Sequence, residues 1–135
     1  RLDEIQAAIL SVKLKYLDQE NQKRIENANY FCENIKNEKI ILPIKFHSDP
    51  LSHVYHLFVI RTKDRAHLKE YLRDNEIGSD VHYPIPPHKQ LAYREWANHS
   101  YPISEKIHKT VLSIPSGLHL STIDIERITE VLNKY

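Results

Sequence analysis

The candidates for chemistry in this sequence are two of its nine histidines, His82 and His88. They bracket Tyr83-Pro84-Ile85-Pro86-Pro87, where proline fixes φ and leaves the backbone little room to relax. A neutral imidazole at either end can donate or accept a hydrogen bond to a hydroxyl or a phosphate. If residues 79–83 form a strand, Val81 and Tyr83 share one face and Asp80 and His82 the other, so His82 leaves on the face away from the core. A stiff loop that holds polar side chains outward is good material for a binding site. The plainer alternative stands beside it: both are surface or hydrogen-bonded loop histidines. Tyr83 and Tyr93 read as packing residues.

Other chemistries find little support. His53 and His56 are three apart in an expected strand and so point to opposite faces, and His82 and His88 have no Cys or carboxylate at zinc spacing. No metal site is expected. No nucleophile-elbow sequence is present, and with only Gly78 and Gly117 there is no glycine-rich phosphate loop. No catalytic residue is assigned within the chain. Lys plus Arg is 19 and Asp plus Glu is 18, a balance that argues against a nucleic-acid or anionic-membrane surface. No apolar run approaches bilayer length. The single Cys32 excludes an internal disulfide and suits a reducing compartment, so the expected location is cytoplasmic.

The elements that must position the two histidines can be read from periodicity. A single long helix is expected over residues 1–35, uninterrupted by Pro or Gly and roughly 50 Å long. It is helical from its first residue with no visible N-cap, which reads as a chain cut from something larger. Leu10, Leu14, Leu17, Ile25, Ala28, Cys32 and Ile35 form one apolar stripe, expected to face the core. Ile5, Ala8, Ile9, Val12 and Tyr16 form a second, expected to meet a partner outside this unit or a second copy of the chain, with cover by a later element of this same chain as the plainer alternative. Strands are expected at 39–43, 54–61, 79–83 and 111–115, with His47-Ser48-Asp49-Pro50 a loop. Asp64 should cap a helix over 65–75 that buries Leu68, Tyr71 and Leu72 and is closed by Gly78. A short helix follows at 91–96. Pro102 opens the next, with Ile103 and Ile107 inward. Ser121 and Asp124 make a near capping box for a last helix carrying Ile125, Ile128, Val131 and Leu132.

These elements compose one α+β domain over residues 1–135. The long leading helix, 1–35, precedes a mostly antiparallel sheet of three or four strands packed by helices.

Four segments in order, Arg1-Leu2-Asp3-Glu4-Ile5-Gln6-Ala7-Ala8, residues 53–61 (HVYHLFVIR), residues 82–93 (HYPIPPHKQLAY) and Leu112-Ser113-Ile114-Pro115, resemble the C-terminal part of the DegT/DnrJ/StrS-type nucleotide-sugar aminotransferases. The resemblance spans essentially the whole chain. It implies the small domain of an aspartate-aminotransferase-type fold, without the large domain that holds pyridoxal phosphate. In the family the lysine that forms the Schiff base and the aspartate that pairs with the pyridine nitrogen lie upstream. No lysine here sits in that context. The resemblance therefore implies an inactive fragment that binds no cofactor itself, from a parent that works with pyridoxal phosphate as a homodimer.

The implied parent reaction moves an amino group, from glutamate, to a keto sugar nucleotide. Arg-Leu-Asp-Glu at the start looks more like enzymes acting on dTDP-3-keto-6-deoxyhexoses, whose products feed lipopolysaccharide, surface-polysaccharide or antibiotic sugars. By the same resemblance His82 and His88 reach the nucleotide-sugar substrate at the active-site mouth, and Arg1 touches the cofactor or nucleotide phosphate, unless it is simply solvated. A free-standing α+β interaction or ligand-binding module without catalysis is the rival; the two-sided leading helix counts against it.

Overall fold

The leading stretch, in a computed structural model that describes residues 3–44 and 52–135, is two helices rather than one. α1 spans Glu4–Leu14 and α2 spans Leu17–Asn34. Between them the backbone tightens: Lys15 N–H donates to the Val12 carbonyl (3.4 Å) and Tyr16 N–H to that of Lys13 (3.0 Å), three-residue steps that interrupt the α ladder. Charge supplies the reason that the absence of Pro and Gly concealed. Lys13 sits in the last turn of α1, and Asp18 and Glu20 sit in the first turn of α2, each stabilising a helix end through the dipole. α1 also has the cap that the sequence reading missed. The Asp3 carboxylate accepts the Ile5 N–H at 3.0 Å.

Only the lower part of the expected core stripe is in the core. Ile25, Ala28 and Ile35 are buried and Cys32 is half-buried, whereas Leu10, Leu14 and Leu17 are exposed; Phe31, which was not in that stripe, is buried with them. α1 buries no residue, and Ile5, Ile9, Val12 and Tyr16 of the second stripe are all exposed.

The sheet is α+β in the expected sense, but its outer strands are reduced to single bridges. β1 (Phe58–Arg61) pairs antiparallel with β2 (Val111–Ile114), Phe58 opposite Ile114 and Arg61 opposite Val111. Ile41 bridges the free side of β1 and Asp80 the free side of β2, both antiparallel. Local hydrogen bonds explain the shortening. The Asp80 carboxylate takes the Val81 N–H at 2.7 Å, turning the chain off the ladder. Pro43 has no N–H to offer beyond Ile41. Tyr55 donates its N–H to His53 Nδ1 (3.0 Å) and has φ of 50°, so the run expected from residue 54 becomes a strand only at Phe58. The loop expected at 47–50 lies outside the described residues.

The remaining helices close the core. α3 (Arg65–Asp74) is capped by Asp64, which accepts the His67 N–H at 3.1 Å, and buries Leu68 and Leu72. Its exit turn rests on Glu76, at φ 59°, and not on Gly78. Arg127 holds that turn, donating to the Asn75 carbonyl and the Glu76 carboxylate at 3.0 and 3.1 Å. α4 (Pro102–Thr110) is followed directly by β2, and α5 (Thr122–Lys134) starts with the full Ser121–Asp124 capping box. α5 packs Ile125, Ile128 and Leu132 against α2, where Phe31 meets Phe58 with ring centroids 5.1 Å apart. Asn133 ties the two helix ends together, accepting Lys36 N–H (2.7 Å) and donating to the Asn34 carbonyl (2.9 Å). No helix among the described residues is long and apolar enough to cross a membrane.

Candidate functional site

His82 lies two residues past the bridge at Asp80, at the edge of a shallow groove of about 450 Å³. Its ring is about a quarter exposed. Nδ1 is 2.9 Å from the Ser113 hydroxyl on β2, which fixes the ring's rotation. Nε2 is 3.9 Å from the Asp80 carboxylate and is left for the groove. Arg24, His56 and Ser116 line the rest of this wall. The groove thus joins one guanidinium, two imidazoles, a carboxylate and hydroxyls, a set suited to a polar ligand rich in hydrogen-bonding groups.

His88 does not point outward, as was expected of it. It is 4% exposed, with Nε2 3.0 Å from Glu105 Oε1 and its ring edge-on to Tyr101 at 4.8 Å. The reason is α4, whose Glu105 offers a carboxylate directly behind the loop. That carboxylate accepts the Tyr101 backbone N–H (3.1 Å) as well as the imidazole; the two bonds, the backbone one first, hold its pKa below the ordinary value. The loop itself is two short 3₁₀ turns, Pro87–Lys89 and Leu91–Trp96, the second kinked at Tyr93, where a helix was expected.

α4 accordingly presents its other side to solvent: Ile103 and Ile107 are exposed rather than inward. Tyr83, expected to pack inward with Val81, is also exposed, and touches His82 edge-on at 5.5 Å. Tyr93 is exposed too, and stacks on Trp96 at 5.4 Å. Arg1 lies outside the described residues. Among the described residues no group of three His, Cys, Asp or Glu side chains is placed to hold a metal ion, and His53 stacks on Tyr55.

Three residues at this site escaped the sequence reading: Ser113, Glu105 and His108. Glu105 and His108 are three apart just after Pro102, a helical spacing that was there to be seen. The side chains described do not form a pyridoxal phosphate cradle by themselves. Such a site needs a lysine in a walled cavity with a counter-charge, and every described lysine is solvent-exposed.

Residues 1–133 match the DegT/DnrJ/EryC1/StrS aminotransferase family, and the chain belongs to it. It is 52% identical over 135 residues to a dTDP-3-amino-3,6-dideoxy-alpha-D-galactopyranose transaminase of Aneurinibacillus thermoaerophilus, covering 100% of this chain and 37% of that protein. A dTDP-3-amino-3,4,6-trideoxy-alpha-D-glucose transaminase of Streptomyces venezuelae is 34% identical, over 100% of this chain and 36% of its own length. The crystal structure of S. venezuelae DesV with a ketimine intermediate superposes with a TM-score of 0.91 at 35% identity, covering 99% of this chain and 36% of DesV. The Bacillus subtilis protein NtdA, solved with bound cofactor PMP, gives 0.84 at 30% identity, over 98% of this chain and 32% of its own. The chain therefore spans about a third of the length of the relatives it matches.

Proposed function

We propose that this chain acts as the C-terminal small domain of a pyridoxal-phosphate-dependent nucleotide-sugar aminotransferase. The enzyme would transfer an amino group from glutamate to a keto sugar nucleotide, of the dTDP-3-keto-6-deoxyhexose class, in the cytoplasm and as a homodimer. The observation that carries the reading is the 52% identity along the full chain to a transaminase of a dTDP-linked 3-amino-6-deoxy sugar. The glutamate donor is supported by a B. subtilis relative, 31% identical, named as a 3-oxo-glucose-6-phosphate:glutamate aminotransferase.

In this reading the large domain supplies the cofactor, which acts as the electron sink for amino transfer. The small domain supplies shape and hydrogen bonds. His82 is the substrate-facing residue: Ser113 holds one ring nitrogen and leaves the other for a sugar hydroxyl or a phosphate oxygen. His88, buried against Glu105, supports the loop from behind. Arg1 is assigned to the cofactor or nucleotide phosphate.

The test is His82→Ala in the full-length enzyme, with the two half-reactions measured separately. The sugar-nucleotide half should slow and the glutamate half should hold. An unchanged sugar half, or a collapse confined to the glutamate half, removes His82 from the site. The 135-residue chain alone, mixed with pyridoxal phosphate and reduced with borohydride, should show no stoichiometric adduct at any one lysine by mass spectrometry.

A further inference from the structure

The bow from Tyr83 to His88 is pinned at both ends by one face of α4. At its start, His108 Nδ1–H donates to the Tyr83 carbonyl over 2.7 Å. At its end, His88 Nε2–H donates to Glu105 over 3.0 Å. Glu105 and His108 are three residues apart in α4 and so lie on the same face. Both partners of these imidazoles accept only, a carbonyl and a carboxylate, so each tautomer is set: the proton is on Nδ1 of His108 and on Nε2 of His88. The anchors are themselves anchored. Glu105 is oriented by the backbone N–H of Tyr101 (3.1 Å), one of the open donors at the start of α4. Arg65 of α3 donates to the His108 carbonyl at 2.6 Å and ties the helix to the core. Pro84, Pro86 and Pro87 occupy three of the four positions between the two pins and remove most of the torsional slack.

The Ser113 hydroxyl sets how the His82 ring is rotated. It does not by itself set where the ring stands, because the backbone beside it makes no further ladder bond beyond Asp80. That second constraint comes from the carbonyl of the next residue, Tyr83, which is held by His108. We propose that Glu105 and His108 are positioning residues which, through His88 and the Tyr83 carbonyl, hold the His82 imidazole at its place on the groove. The inference rests on the assignment of His82 to the substrate and assigns no substrate contact to α4.

A double-mutant cycle in the full-length holoenzyme tests it, read as KM for the sugar nucleotide. Glu105→Leu should raise KM by about tenfold with kcat much less affected. Glu105→Gln keeps an acceptor oxygen for His88 and Tyr101 and should recover most of the loss. The deciding variant is Glu105→Leu combined with His82→Ala. If Glu105 acts through His82, the double variant is within about twofold of His82→Ala alone. If the two losses multiply, or if Glu105→Leu leaves KM unchanged, α4 does not position His82 and the inference fails while the His82 assignment stands. If His82→Ala itself leaves the sugar half-reaction untouched, the underlying assignment fails instead. Should Glu105→Leu give no folded enzyme, His108→Leu carries the same cycle at the other pin.

Discussion

α1 and α2 are adjacent in sequence and opposite in fate. α1 carries Ile5, Ile9, Leu10, Val12 and Leu14 within 11 residues and buries none of them. α2 spreads Ile25, Ala28 and Phe31 among 18 mostly polar residues and buries all three. Apolar content does not decide burial here; what stands opposite does. The α2 stripe faces β1 and α5, whereas no residue of α1 is buried or belongs to the core cluster. Under the proposed function, this exposed apolar helix is the surface that the large domain or partner subunit would contact.

The contrast can be attacked from its strong side first. Phe31→Ala removes a fully buried ring packed on Phe58 and should destabilise the chain by about 3–5 kcal/mol in denaturant titration. A loss below about 1 kcal/mol would mean that α2 is not the core helix it looks to be. Next come the caps. Ser121→Ala should cost about 1 kcal/mol, because α5 belongs to the cooperative core. Asp3→Ala should leave global unfolding unchanged and show itself only as faster amide exchange within α1.

A smaller effect is expected from acid. Asp124, held low by the Ser121 hydroxyl and backbone, and Glu105, held low by the Tyr101 backbone and His88, both bind protons less readily in the fold than in the unfolded chain. Their contribution is therefore present at neutral pH and is lost as pH falls below about 5 through their depressed folded values. Unfolding midpoints measured down that range should decline, and Asp124→Asn together with Glu105→Gln should flatten the decline. Ile9→Ala should also change stability little, within about 0.5 kcal/mol for the isolated chain. The same surface should betray itself by association instead. Sedimentation of the isolated chain should show self-association that Ile5→Glu with Ile9→Glu abolishes. A chain that stays monomeric at high concentration would weaken the reading of α1 as a contact face.

What could be read from sequence was what local hydrogen bonds and helical stripes dictate. Asp64, Ser121 and Asp124 cap as expected because a cap is settled within three residues. The α5 stripe is right for the same reason. The strands were read too long because Asp80 and His53 divert their neighbours' backbone donors, which an alternation of apolar residues does not reveal. α4 was turned inside out: a stripe marks an axis but not which side faces the core, and here Glu105 and His108 meet the loop while Ile103 and Ile107 face solvent. At the site, the proline bow pointed to His82. Ser113, Glu105 and His108 stayed hidden because their bonds cross 31, 17 and 25 residues of sequence.

The interruption at Lys15 and Tyr16 changes the mechanics of the leading segment. An unbroken rod seated in the core would transmit every tilt of its buried end to its tip. With the ladder cut, α2 takes its direction from the core and α1 is free to take its own from whatever surface it meets. α1 is about 16 Å long, so a swing of about 10° at the joint carries its tip about 3 Å while leaving Phe31 in place. Whatever α1 docks on could shift against the histidine groove by that much without disturbing the packing of the core.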